Sequence, residues 1–255
     1  MNSIVCMKQV PDTESVLRVN GEGTGVVEEG LQFVANPYDE YAVEEALQLR
    51  EKFGQGTVTV ITVGPQRAEE AIRYFFAMGA DVGFRISDDE PQKRDALSVA
   101  QCLAEAIKGM EYDIIFCGKQ AVDDDSAQVG VMLAELLDIP QATVVTKLEV
   151  ADDKKSAVVH REIEGGDEVL EIQLPAIITA QKGLNEPRFT SLRGIKMAMS
   201  KPIEVREMKV PEAKTKVISI ERPPERPSGR ILEGEDTDVV RGLVDALRNE
   251  AKLID

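Results

Sequence analysis

The first 140 residues alternate short β-branched apolar runs with segments of helical period, and that alternation leaves few folds open. SIVCM (3–7), TVTVITV (57–63), VGFRI (82–86) and DIIFC (113–117) are mostly apolar on both faces. Strands buried on both sides belong to a parallel sheet covered by helices. Between the first two, NPYDEYAVEEALQLREKF offers Asn36 as N-cap, Pro37 at the first helical position, and Ala42, Ala46, Leu49 and Phe53 along one stripe. Further helices are predicted over 66–78, 95–108 and 126–137, the last with Val129, Leu133 and Leu136 facing inward. Alternating βα units predict an α/β fold with a doubly wound, mostly parallel sheet.

The pattern changes after Pro140. TVVTKLEV, SAVVHREIEGG, EVLEIQL and AIITA predict an antiparallel excursion and a last strand, with turns at Asp152–Asp153 and Gly165–Gly166. A polar loop follows, then SIERPPERPSGRILEGED, too rich in Pro, Glu and Arg to pack a core by itself. A helical period from about Thr237 to Ala251 closes the chain. The division expected is a domain over 1–205 and an extended arm ending in a helix over 206–255. Such an arm either docks on another protein or lies over its own domain.

Charge and motifs exclude several function classes. With 30 Lys+Arg against 46 Asp+Glu the formal charge is −16, which offers no footprint for nucleic acid or an anionic membrane. No apolar run approaches the ~20 residues of a membrane span, and no leader pattern opens the sequence. Cys6, Cys102 and Cys117 form no CxxC and read as reduced core thiols. A cytoplasmic protein is expected, or a mitochondrial matrix protein whose leader has been removed. The single histidine, His160, has no second ligand at metal spacing and reads as a surface or edge residue. Neither GxSxG nor GxxxxGK[ST] occurs. GEGTG (21–25) lies between two strand-like pieces and reads as a hairpin turn rather than a dinucleotide loop.

GKQAVDDDSAQVG (118–130) has the right setting for a ligand. It leaves a strand at Cys117 and enters a helix at about Ser126, and ligands of open α/β sheets bind at the carboxyl ends of strands. A helix start offers free N–H groups and the positive end of the macrodipole to a phosphate. NPYD (36–39) and the end of ITVG (61–64) converge on the same edge, which points to an adenine-nucleotide pocket. The alternative is that one aspartate caps the helix and the others are solvated.

MKQVPDT, NPYDEYAVEEALQLREK, AMGAD, GKQAVDDDSAQVG and LNEPRFTSLRGIKMA, in that order, resemble the β subunit of electron transfer flavoprotein over about residues 1–205. The resemblance implies an adenine-nucleotide-hydrolase-like fold without catalytic activity of its own, in a heterodimer with an α subunit that holds most of the FAD. It implies a structural AMP in this chain, met by Cys6, by Asn36, Pro37, Tyr38 and Asp39, by Val63, and by Gly118, Gln120, Asp123, Asp124, Asp125, Ser126, Ala127, Gln128 and Val129. Backbone amides near 127–129 would meet the phosphate while the aspartates cap, brace the turn or face away. SAQVG is also similar to the electron-bifurcating branch, where a second FAD replaces AMP; that branch has a glycine where this chain has Asp124, which favours AMP. The segment 183–199 resembles the loop that grips acyl-CoA-type dehydrogenases, with Leu184, Asn185, Glu186, Pro187, Arg188, Leu192 and Ile195 as its contacts and Leu192 as its anchor. Glu162 falls where the family reaches toward the flavin side of the interface. The implied role is to pass electrons to a membrane quinone reductase or similar acceptor, with no membrane insertion. Two rivals share the fold: a stand-alone stress-type nucleotide-binding protein, and a pyrophosphatase-type enzyme, whose SGGxDS-like loop is not matched by CMKQVPDT.

Overall fold

The structure, a computed structural model, describes residues 1–224 and 228–254; Glu225, Arg226 and Pro227 of the Pro-rich run and Asp255 lie outside the described residues. In chain order the elements begin with β1 (Ser3–Cys6), β2 (Gln9–Pro11), β3 (Phe33–Ala35), α1 (Pro37–Phe53) and β4 (Val58–Gly64). A single 3-10 turn leads into α2 (Glu69–Met78), followed by β5 (Val82–Ser87), α3 (Ala96–Ile107), β6 (Ile114–Gly118) and α4 (Val129–Leu137). Then come β7 (Gln141–Val150), β8 (Ser156–Ile163), β9 (Gly166–Gln173), β10 (Ile177–Ala180), α5 (Leu192–Ser200), β11 (Glu204–Arg206) and α6 (Asp236–Asp245).

Nine strands form one sheet in the order β11-β5-β4-β1-β6-β10-β7-β8-β9. All neighbours are parallel except β7–β8 and β8–β9, the antiparallel excursion. Each strand feeds two cores because its side chains alternate across the sheet. Val5, Val58, Val60, Ile114, Phe116 and Ile178 pack with α1 and α2 on one face, while Ile4, Cys6, Ile61, Ile115, Cys117 and Ile177 pack with α3 and α4 on the other. The short runs read as apolar on both faces are therefore buried on both. β2 and β3 form a separate two-stranded ribbon, and GEGTG turns between Val19 and Val26, which make an antiparallel bridge.

Helix starts follow local chemistry. Asp95 and Ser98 make a reciprocal capping box at α3, and Pro37 opens α1 with Ala42, Ala46 and Leu49 buried. Two details depart from expectation at α4. The helix begins at Val129 rather than Ser126, because Asp125 and Ala127 are left-handed (φ 51° and 52°) and break the turn. Leu136 is exposed; Gly130, Leu133 and Ala134 make the buried face. The three cysteines are buried and free, and His160 is half-buried on β8, an inner strand rather than an edge.

The chain divides into two compact units, Met1–Ile220 and Glu221–Asp255. Beyond β11 the first unit includes Val210, buried in the core, and Lys214 and Thr215, whose amides donate to Asp95. The second contains α6, one wider helical turn over Ala246–Glu250, and an ion pair between Arg230 and Glu250 at 3.1 Å.

Candidate functional site

β1 sits where the sheet reverses its winding: the chain goes outward from β1 to β4 and β5, then crosses back to β6 on the other side. The crevice outside the carboxyl ends of β1 and β6 is the place where such sheets bind ligands. Cys6, Asn36–Asp39, Val63 and the whole of 118–129 come to this edge.

Asn36 holds the edge together. It occupies the N-cap position of α1 but makes no capping bond. Its amide instead donates to Asp39 Oδ1 (3.0 Å) and to the Gln120 carbonyl (2.9 Å), and its Oδ1 accepts the Val122 N–H (3.2 Å). Asp39 accepts further from the backbone N–H of Lys8 (2.7 Å) and of Gly118 (3.0 Å). Burial pushes the Asp39 carboxyl up to about 7, against the pull of these three N–H donors. α1, the start of β2 and the loop after β6 are thus knotted through two buried side chains. Gly118 is required there, since a Cβ would lie 2.4 Å from Asp39 Oδ1 and 2.7 Å from Tyr38 Cβ.

Each of the three aspartates has a partner, and two of them share one. Asp123 and Asp124 face Lys8 Nζ at 2.8 and 3.2 Å. Asp124 also accepts the Ser126 N–H (3.1 Å), and Asp125 accepts the Gln120 side-chain amide. Burial works against ionisation of Asp124, but the Lys8 charge and the Ser126 amide outweigh it and hold its carboxyl below the ordinary range. Lys8 was absent from the sequence-derived set, although as the second residue after β1 it belongs to the same edge.

Past the two left-handed residues, Gln128 leads into α4 without a side-chain cap. The Met132 N–H donates to the Gln128 carbonyl (3.0 Å), so the Val129, Gly130 and Val131 amides precede the first helical bond and lie at the positive end of the macrodipole. Gly130 seats this turn on the sheet, where a Cβ would meet Thr179 at 3.0 Å and Cys117 at 3.5 Å. Cys6 pairs with Cys117 in register; contact with the Cys117 thiol, then burial, push the Cys6 thiol up. Uncapped amides at a switch point, beside carboxylates already engaged by a lysine, fit a phosphate-bearing nucleotide. Among the described residues no cluster of His, Cys, Asp and Glu suits a metal, and no helix is long and apolar enough to cross a membrane.

A second constellation lies around α5. Ser191 caps it by accepting the Gly194 N–H (3.0 Å), and Leu192 is 87% exposed, with Ile195 also on the surface. Asn185 and Arg188 point back to α1: the Asn185 amide donates to the Tyr41 carbonyl and Glu45, and the Arg188 guanidinium donates to Glu44 and Glu51. Leu184 packs on the core, whereas Glu186 and Pro187 lie in the intervening loop. Glu162 is exposed on β8 and accepts the Gln181 amide at 2.8 Å.

The electron transfer flavoprotein domain model matches residues 24–211. The chain is 42% identical to electron transfer flavoprotein subunit beta of Bacillus subtilis over the full length of both. It is 40% identical to the Mus musculus subunit beta, with 91% of this chain and 93% of the relative covered, and 36% identical to the mitochondrial subunit beta of Arabidopsis thaliana, again over full length. A domain match over most of its length and identities of 36–42% at nearly full coverage place the chain in the electron transfer flavoprotein family, among its β subunits.

Proposed function

We propose that this chain pairs with an electron transfer flavoprotein α subunit and serves as the half of the heterodimer that holds a structural AMP and docks acyl-CoA-type dehydrogenases. AMP supplies no redox chemistry; the electrons travel on FAD held mainly by the α subunit and pass to a membrane quinone reductase or similar acceptor. The observation that carries the nucleotide part is the edge at Asn36, Asp39 and Gly118–Val129. There the uncapped Val129–Val131 amides are free to meet a phosphate, Asn36 and Asp39 keep the loop in register with α1, and Lys8 offsets part of the charge of Asp123 and Asp124. Asp124 fills the position of the bifurcating glycine, which favours AMP over a second FAD.

The docking part rests on Leu192, a large apolar side chain offered to solvent on a capped helix start. Glu162, exposed on β8, is the residue that the family resemblance assigns to the flavin side of the subunit interface. The second unit supports α-subunit docking through Val240, Leu243 and Val244, exposed at i, i+3 and i+4 of α6. The expected compartment is the bacterial cytoplasm or the mitochondrial matrix.

The test is reduction of the purified heterodimer by an acyl-CoA dehydrogenase and its substrate under anaerobic conditions. An apolar side chain entering a partner pocket contributes about 1.5–3 kcal/mol, so Leu192→Ala should slow transfer by about tenfold or more. FAD content and thermal stability should hold. Unchanged partner kinetics would remove the docking role, and lost stability would make Leu192 a structural residue.

A further inference from the structure

Arg188 precedes the exposed Leu192 by four residues, and its hydrogen bonds run back into the domain. Nε and Nη2 donate to Glu44 at 2.7 and 3.0 Å, the Arg188 backbone N–H donates to Glu44 at 3.2 Å, and Nη1 and Nη2 donate to Glu51 at 2.7 and 3.3 Å. Glu44 and Glu51 are two turns apart on α1 and so share a face. The Glu44 side chain is 4% exposed and that of Arg188 32%. Burial opposes ionisation of Glu44, but Arg188 outweighs it and holds the carboxyl below the ordinary range; the Arg188 hydrogen bonds do the same for Glu51.

The far end of the segment is tied as well. Arg73 of α2 donates to the carbonyls of Ala198, Met199 and Lys201 at the end of α5 (2.9, 3.2 and 3.3 Å). Gly194 lies against α2, where a Cβ would come within 2.6 Å of the Ala77 carbonyl oxygen. Between these anchors Phe189 is fully exposed and Leu192 nearly so. A forked guanidinium bonded to two carboxylates fixes orientation as well as position.

We propose that Arg188 is a positioning residue for partner docking: its bonds to Glu44 and Glu51 hold the segment so that Leu192 is presented before the partner arrives. The inference rests on the docking reading of Leu192. A segment that samples other conformations binds more weakly in proportion to the fraction of time it is competent. Arg188 therefore acts on partner affinity through the loop, without touching the partner.

The test uses the assembled heterodimer with Arg188→Ala, Glu44→Gln, Leu192→Ala and the Arg188→Ala/Leu192→Ala double variant. If the presented fraction falls to about one in ten, KM for the dehydrogenase rises about tenfold in both Arg188→Ala and Glu44→Gln. FAD content and kcat at saturating dehydrogenase hold, and amide exchange over 184–195 quickens. In the Leu192→Ala background, removing Arg188 adds little, because the two residues act through one contact. A KM change in Arg188→Ala that Glu44→Gln does not share, or a full additional effect on top of Leu192→Ala, overturns positioning in favour of direct partner contact. Should Arg188→Ala fail to assemble, Arg188→Lys and Glu51→Gln replace it; each weakens the fork, and an unaltered KM in both refutes the proposal. Leu192→Ala without any effect refutes the docking reading instead, a separate outcome.

Discussion

Replacing Asn36 with alanine tests the architecture of the nucleotide edge. Asn36 is 1% exposed and makes three hydrogen bonds that no smaller side chain can replace: to Asp39 Oδ1, to the Gln120 carbonyl and from the Val122 N–H. At a net ~1 kcal/mol per bond the loss is about 3 kcal/mol, and the buried Asp39 carboxylate left with fewer donors adds to it. For a chain of this size that corresponds to a fall in melting temperature of about 6–12 °C. The loop from Gln120 to Val122 would come loose from α1 while both cores stay packed, so the loss of bound nucleotide should exceed the loss of secondary structure. The assay is thermal unfolding of the purified heterodimer together with a nucleotide count after denaturation. A melting temperature within about 2 °C of the unmodified protein, with full nucleotide, would refute the claim that Asn36 joins loop and helix.

Three further outcomes are expected. Gly118→Ala forces a Cβ to 2.4 Å from Asp39 Oδ1 and 2.9 Å from the Tyr38 carbonyl carbon, a backbone-limited overpacking that costs about 1–3 kcal/mol or more; an unshifted melting temperature would contradict it. At Asp95, burial opposes ionisation, but the Ser98, Lys214 and Thr215 amides prevail and hold the carboxyl at about 2, below its ordinary 3.8. The folded value is depressed, so its stabilisation is complete above about pH 4 and is lost as pH falls toward 2. Limited pepsin digestion should therefore open the segment around 208–216 in that window, and Asp95→Ala should open it to neutral proteases at pH 7; protection of both would refute the tether. Deleting 221–255 should weaken heterodimer assembly in size exclusion at low concentration, and unchanged assembly would reject a docking role for the second unit.

The layered α/β fold is legible because the strand runs of the first 140 residues are apolar on both faces, and Pro37 marks its helix in plain sequence. The start of α4 is not. Asp-Asp-Asp-Ser reads as a cap, but left-handed Asp125 and Ala127 delay the helix to Val129, and a left-handed alanine has no signature in composition. Leu136, three residues past the buried Leu133, is exposed although the apolar stripe places it inward. The strand-end rule brings the loop after β6 and NPYD together, yet it is silent on the Asn36–Asp39 knot, whose bonds depend on side-chain reach across elements far apart in sequence. Lys8 could have been found, since the residue just past a central strand lies at the same edge. Arg188 is legible as part of the partner segment, but its bonds to α1 are not: they depend on Glu44 and Glu51, two acids far off in sequence that share one face of that helix.

The central claim is that the switch-point edge of this chain holds an adenine nucleotide which takes no part in electron transfer. The direct measurement is to denature the purified heterodimer, separate the released nucleotides and count them per complex. One AMP and one FAD per heterodimer is the predicted result. Two FAD and no AMP would contradict it and assign the edge to a second flavin, and FAD alone, at one per heterodimer, would leave the edge without a nucleotide and refute the account.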